Sequence, residues 1–222
     1  MYRIIQLFAL TFCINLSFTY GQTTTPFETW SVVEVGYDVG KKIDIKANYQ
    51  LRHSYSDSTR LERHFGEFGA SYKIIKGLKV GSVFRIGKDR RKQTFNPFNR
   101  IAFFTQYDHD IKRWNLKYKI QWQHQTKTVK EKARIVDKLR LRFQTDYNIR
   151  KWKFDPTFAV EYFIANKEMM TEYQGEKFRF TLGTQREIIK NLVVKGAYRM
   201  EFGTGVEPEN LAIAQLELSY SF

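Results

Sequence analysis

Cysteine is almost absent from this sequence: the 222 residues hold 1, Cys13. It lies in an apolar stretch near the start, and residues 10–12 (Leu-Thr-Phe) lack the small residue an acylated lipoprotein cysteine wants before it. A mature chain that begins after this stretch has no thiol, which excludes cysteine nucleophiles, disulfides and thiolate-held metals. Proline is scarce, with 4 residues, while aromatic residues reach 16%. The mean hydropathy is nevertheless negative. That combination is odd for a helical membrane protein and expected for a transmembrane barrel, in which half of each strand is polar. After residue 21 no apolar run approaches the length of a membrane helix. A mature chain that spans a membrane must therefore do so with strands.

What is present begins with residues 1–21: Arg3, then an almost wholly apolar run to Phe18, then Thr19-Tyr20-Gly21. A short charged start, an apolar middle and a small-residue exit describe a secretory signal peptide, with cleavage expected after Gly21. The run is short for a single transmembrane anchor. Residues 22–222 then form one domain, a size that suits a sandwich or barrel.

The end of the chain carries the organising pattern. Ala212, Ala214, Leu216, Leu218, Tyr220 and Phe222 alternate with Gln215, Glu217, Ser219 and Ser221. Period two describes a strand with one apolar and one wet face. A last strand ending on an aromatic residue resembles the signal read by bacterial barrel-assembly machinery, with Leu216, Leu218, Tyr220 and Phe222 as its candidate residues.

The same dyad recurs along the chain. Ile43, Ile45, Ala47, Tyr49 and Leu51 oppose Asp44, Lys46, Asn48, Gln50 and Arg52; Trp114, Leu116, Tyr118, Ile120 and Trp122 oppose Asn115, Lys117, Lys119, Gln121 and Gln123. Around residues 101–108 the alternation is noisier, because Phe104 sits on the polar side. About eleven such segments are separated alternately by tight turns (near 40, 76, 112, 150 and 190) and longer polar loops (near 57, 92, 130, 170 and 206). The rhythm predicts an all-β, antiparallel up-and-down transmembrane barrel of about 10–12 strands. Both ends on the periplasmic side require an even count, so residues 22–29 are expected to supply a short extra strand, giving twelve; a misread first strand gives ten. Trp30, Trp114, Trp122, Trp152 and Phe222 fall near strand ends, where an interfacial girdle belongs. A soluble lipocalin-like barrel has the same alternation with the faces exchanged.

The net charge of +14 favours anionic surfaces. On the membrane reading the polar faces line the lumen, with Arg52, Arg85, Lys117, Lys119, Lys138, Arg140, Arg142 and Arg199 as candidate luminal cations. Acids on the same faces include Glu34, Glu67, Asp146, Glu161, Glu201 and Glu217. Two readings stand: an ion-pair network filling a narrow barrel, or a passage for small anions. The densest basic run, Lys88, Arg90, Arg91 and Lys92 around Asp89, is expected in a loop over residues 88–98. There it is either a solvated tip or a contact for lipopolysaccharide phosphates. Nucleic acid is not an expected partner, since no recognition motif accompanies the charge.

Enzyme signatures are missing. Of the 4 histidines, His53 stands beside Ser54 with Ser56 and Ser58 nearby, the raw material of a Ser/His hydrolase. The His-x-Ser-Asn-Gly pattern of outer-membrane phospholipases is absent, as are His-Glu-x-x-His and any glycine-rich phosphate loop. His53, His64, His109 and His124 read as polar rim residues. No cofactor is expected, and an outer-leaflet lipid-binding or lipid-modifying barrel stays as an alternative.

The opening Glu28-Thr29-Trp30, the strand Tyr49-Gln50-Leu51-Arg52, Glu209-Asn210 and the final Tyr220-Ser221-Phe222, with the leader, resemble a Gram-negative outer-membrane family known as domain of unknown function 2490. The resemblance covers the mature chain. It implies a barrel in the outer membrane, with no activity and no catalytic residues to carry over; the chain is expected to be a monomer.

Overall fold

The computed structural model describes residues 25–55, 59–91, 94–129, 132–167, 174–204 and 209–222; the expected leader lies outside them. Among the described residues there are eleven strands: β1 (Phe27–Val39), β2 (Ile43–Ser54), β3 (Arg60–Ile75), β4 (Leu78–Arg91), β5 (Thr94–Ile111), β6 (Trp114–Val129), β7 (Lys132–Tyr147), β8 (Asp155–Lys167), β9 (Gln174–Ile189), β10 (Leu192–Gly203) and β11 (Leu211–Ser221). Each pairs with its sequence neighbours, and β1 pairs with β11 to close a barrel.

Among the described residues the barrel closes with eleven strands and without a twelfth. Alternating direction around an odd number leaves the first and last strands pointing the same way. Closure is therefore parallel, from Phe27 opposite Ala212 to Gly36 opposite Ser221, while the other pairs are antiparallel. Backbone bonds hold both ends of this seam: Ala212 donates to Pro26 and Phe222 donates to Gly36, each at 3.0 Å. Of residues 22–29, expected to supply an extra strand, 27–29 are the start of β1 and 22–24 lie outside the described residues.

The two rims differ in construction. At one rim the hairpins are tight, and each carries a left-handed residue: Gly40, Gly77, Lys112, Lys151 and Asn191. At the other rim the strands run well beyond the expected boundaries. Residues 88–98, expected as a loop, are mostly paired strand, with Lys88 opposite Pro97 and Arg90 opposite Phe95. The reason is physical: near that rim both faces carry polar residues, so the period-two signal fades while the ladder continues.

Side chains sort sharply by face. Val33, Val35, Tyr37, Phe68, Phe84, Ile120, Phe180, Leu182, Leu216 and Leu218 all point outward and are exposed. Glu161, Arg179, Glu201, Asp89 and Gln121 point inward and are buried. Phe104, the residue that broke the alternation, is an inward aromatic lying over a strand with no side chain. A Cβ on Gly81 would fall 2.6 Å from the Phe104 ring and 2.5 Å from the Ala70 carbonyl. Gly87 serves Phe65 in the same way, since a Cβ there would collide with the His64 carbonyl and Phe65 Cβ. Gly87→Ala is thus expected to destabilise the barrel by about 1–3 kcal/mol, the usual cost of overpacking. Gly66→Ala, where a Cβ would meet nothing within 4 Å, should shift stability by less than about 0.5 kcal/mol. Unfolding midpoints in urea for the two variants check this contrast.

Candidate functional site in the barrel interior

Because inward residues recur every second position on every strand, ionised side chains meet across the lumen in tiers. Nearest the hairpin rim, Lys117 donates to Asp146 at 2.7 Å, and Lys195 donates to Glu217 at 2.6 Å. Glu34 takes Lys46 at 3.2 Å and the Ser219 hydroxyl at 3.0 Å, which ties β2 to the closing seam. At the opposite rim Asp89 holds Arg63 and Lys127, while Lys138 pairs with Glu176.

The middle tier is the most buried. Glu161, 2% exposed, receives Arg140, Arg142 and Arg179. Arg179 also reaches Glu201, which Lys177 joins. Glu67 receives Arg85 at 2.6 Å and Arg100 at 3.1 Å. A carboxylate taken from water regains its hydration energy here through several charge-assisted bonds at once.

Four aromatic rings belong to this tier, and their role escapes a reading based on charge alone. Trp30, Phe65, Phe98 and Phe163 all face inward and are buried. Trp30 is therefore a luminal residue and not part of an outer girdle. The Arg52 guanidinium lies 3.7 Å from the Trp30 ring centre and 5.3 Å from that of Phe65; Arg85 covers Phe65 at 3.7 Å. Arg179 and Arg199 also approach Trp30, at 5.4 and 5.2 Å. Alternating rings and guanidinium planes thus run along the inner wall from β1 to β4, and cation–π attraction is strongest for such buried rings. The signal for these rings was parity: Phe65 lies between Arg63 and Glu67 on the polar face, and Phe163 follows Glu161 by two.

The expected luminal cations are all inward, and their partners differ. Arg85, Lys117, Lys138, Arg140 and Arg142 have carboxylate partners, as above. Arg52, Arg199 and Lys119 are in no ion pair among the described residues; Lys119 instead stands 3.8 Å over the Phe104 ring. Between the middle tier and the hairpin rim lies a polar cavity of about 370 Å³, lined by Lys46, Arg85, Arg100, Lys119, Arg140 and Arg142 together with Glu34, Asp44 and Glu67.

The other expected residues lie elsewhere. Lys88 and Arg90 sit on the outer wall near the far rim; Arg91 ends β4, and Lys92 falls outside the described residues. Leu216 and Leu218 face outward on β11, and Phe222 packs edge-on against Tyr220 at the hairpin rim. The histidines are scattered: His64 contacts the Tyr49 hydroxyl at 3.0 Å, and His124 meets Asp137 at 2.7 Å on the outer wall. Ser56 and Ser58, weighed as partners for His53, fall outside the described residues.

A family model described as "Protein of unknown function (DUF2490)" matches residues 27–211. The chain belongs to the DUF2490 family. The match runs from the first residue of β1 to the first of β11, so it takes in the buried middle tier and leaves Glu217 outside. No curated protein matches this DUF2490 chain.

Proposed function

We propose that this DUF2490 protein is a monomeric outer-membrane β-barrel, exported by the leader at residues 1–21, whose interior is a closed ionised network. Its role is structural, without an open conduit and without an enzymatic centre. The observation that carries the membrane reading is the inversion of sidedness: exposed Val, Ile, Leu and Phe outside, buried Arg and Glu within. A lipocalin-like barrel has the opposite arrangement. Each such apolar side chain left in water forfeits about 1.5–3 kcal/mol relative to burial, and acyl chains supply that burial. Strand length supports the same reading, since β11 has 11 residues and β5 has 18, against the roughly 9–11 needed to cross a bilayer.

The outer-wall Lys88 and Arg90 lie above the apolar belt, where lipopolysaccharide phosphates are the expected partners. Leu216, Leu218, Tyr220 and Phe222 are the residues offered to the assembly machinery. A second reading, passage of small anions, draws on the surplus of cations around the cavity. The Trp30–Arg52–Phe65–Arg85 stack speaks against it.

The membrane reading is tested by extraction and gel migration. Detergent-dependent extraction from the outer-membrane fraction is expected, with an unboiled sample that migrates differently from a boiled one. Release from the cells as a soluble protein, without heat-modifiable migration, would overturn it.

A further inference from the structure

The cavity between the middle tier and the hairpin rim has a wall made by β4–β7. It carries five cations: Arg85 and Arg100 share Glu67, Arg140 and Arg142 share Glu161, and Lys119 is in no ion pair among the described residues. Glu161 is shared further with Arg179. Two pairs of like charges stand directly opposite one another across strands: Arg85 with Arg100, and Lys119 with Arg142. Such facing pairs are destabilising unless something of opposite sign lies between them. For Arg85 and Arg100 that group is Glu67. Among the described residues no carboxylate bridges Lys119 and Arg142.

We infer that this cavity is a binding site for a multiply charged phosphate-type oxyanion, held between Lys119 and Arg142 with Arg100 and Arg140 at its sides. A tetrahedral oxyanion accepts donors from several directions, and here the four donors come from three neighbouring strands, β5, β6 and β7. Guanidinium groups suit it because each presents a planar fork of N–H donors. The cavity has room for it: 370 Å³ corresponds to about a dozen waters at roughly 30 Å³ each. The lining reaches Asp44 and Lys46, beside the turn at residues 40–42, so entry is from the hairpin rim. Arg85 belongs both to the cavity wall and to the stack, so the cavity borders the stack and binding needs no path through the barrel.

The test is calorimetric titration of the purified full chain in detergent at constant ionic strength, with inorganic pyrophosphate as the probe. The expected result is a saturable isotherm at one site per chain that chloride does not reproduce. Lys119→Gln should weaken it by about 10-fold or more, the scale of one lost charge-assisted hydrogen bond. Arg142→Gln, a second variant should the first fail to fold, should do the same. Lys88→Gln, on the outer wall, should bind like the parent. No saturable heat, equal weakening by Lys88→Gln, or equal affinity for malonate would overturn the assignment. Because the protein is in micelles, the outcome is independent of where the barrel resides in the cell.

Discussion

Replacing Glu161 with glutamine is expected to destabilise the barrel by about 3–5 kcal/mol, the cost of removing one partner from a buried ionic cluster. Glu161 is 2% exposed and is the shared acceptor for Arg140, Arg142 and Arg179. Glutamine preserves shape and one acceptor but removes the charge. Three guanidinium groups are then left facing each other with Glu201 as the nearest relief, bound to Arg179 and Lys177. The contrast is Glu34→Gln. Glu34 pairs with Lys46, whose side chain is 55% exposed, so water screens most of what is lost and the expected cost is below about 1 kcal/mol. Urea unfolding followed by loss of the compact gel band separates the two variants. Equal midpoints for both would show that the middle tier does not hold the barrel together.

Trp30→Ala should have the second large effect, and it acts on closure as well as stability. The indole supports Arg52 at 3.7 Å and borders Arg179 and Arg199; its own Nε1 donates to Glu28 at 2.7 Å. Truncation removes a buried ring, at about 3–5 kcal/mol, and frees Arg52, which has no carboxylate partner among the described residues to hold it in place. The alternating stack is then broken at its first ring. In planar bilayers the parent protein is expected to be silent and Trp30→Ala to give discrete conductance steps. Trp30→Phe, which keeps a ring under Arg52, should remain closed. Steps from the parent itself would favour anion passage, and anion preference should then fall in Arg140→Gln and Arg142→Gln.

Much of this was legible from the residues. Period two on Ile43–Ser54 and Trp114–Val129 gave strands and faces, because a strand with one face on charge and the other on an apolar surface has no freedom in pattern. The luminal position of Arg140, Arg142 and Lys119 followed from the same parity. Three things were hidden. Strand count was obscured because the direction of the first strand is set by its pairing with β11, a contact between residues nearly the full chain apart. The paired strand at 88–98 was hidden by polar residues on both faces. The stack of rings was hidden because aromatic residues are expected outside a membrane barrel, so Trp30 was grouped with Trp114 and Trp122. Its parity with Glu28 and Glu34 pointed inward. Which cations lack a carboxylate depends on neighbours two and three strands away, and that requires the register.

The inverted sidedness is tested most directly by its tryptophans. Single-tryptophan variants that retain Trp30 or Trp122 alone, with the others changed to phenylalanine, can be reconstituted into vesicles of lipids with brominated acyl chains. Trp122 is outward and 38% exposed, whereas Trp30 is inward and 3% exposed. Strong quenching of Trp122 with Trp30 protected is the expected result; quenching of Trp30 with Trp122 untouched would contradict it.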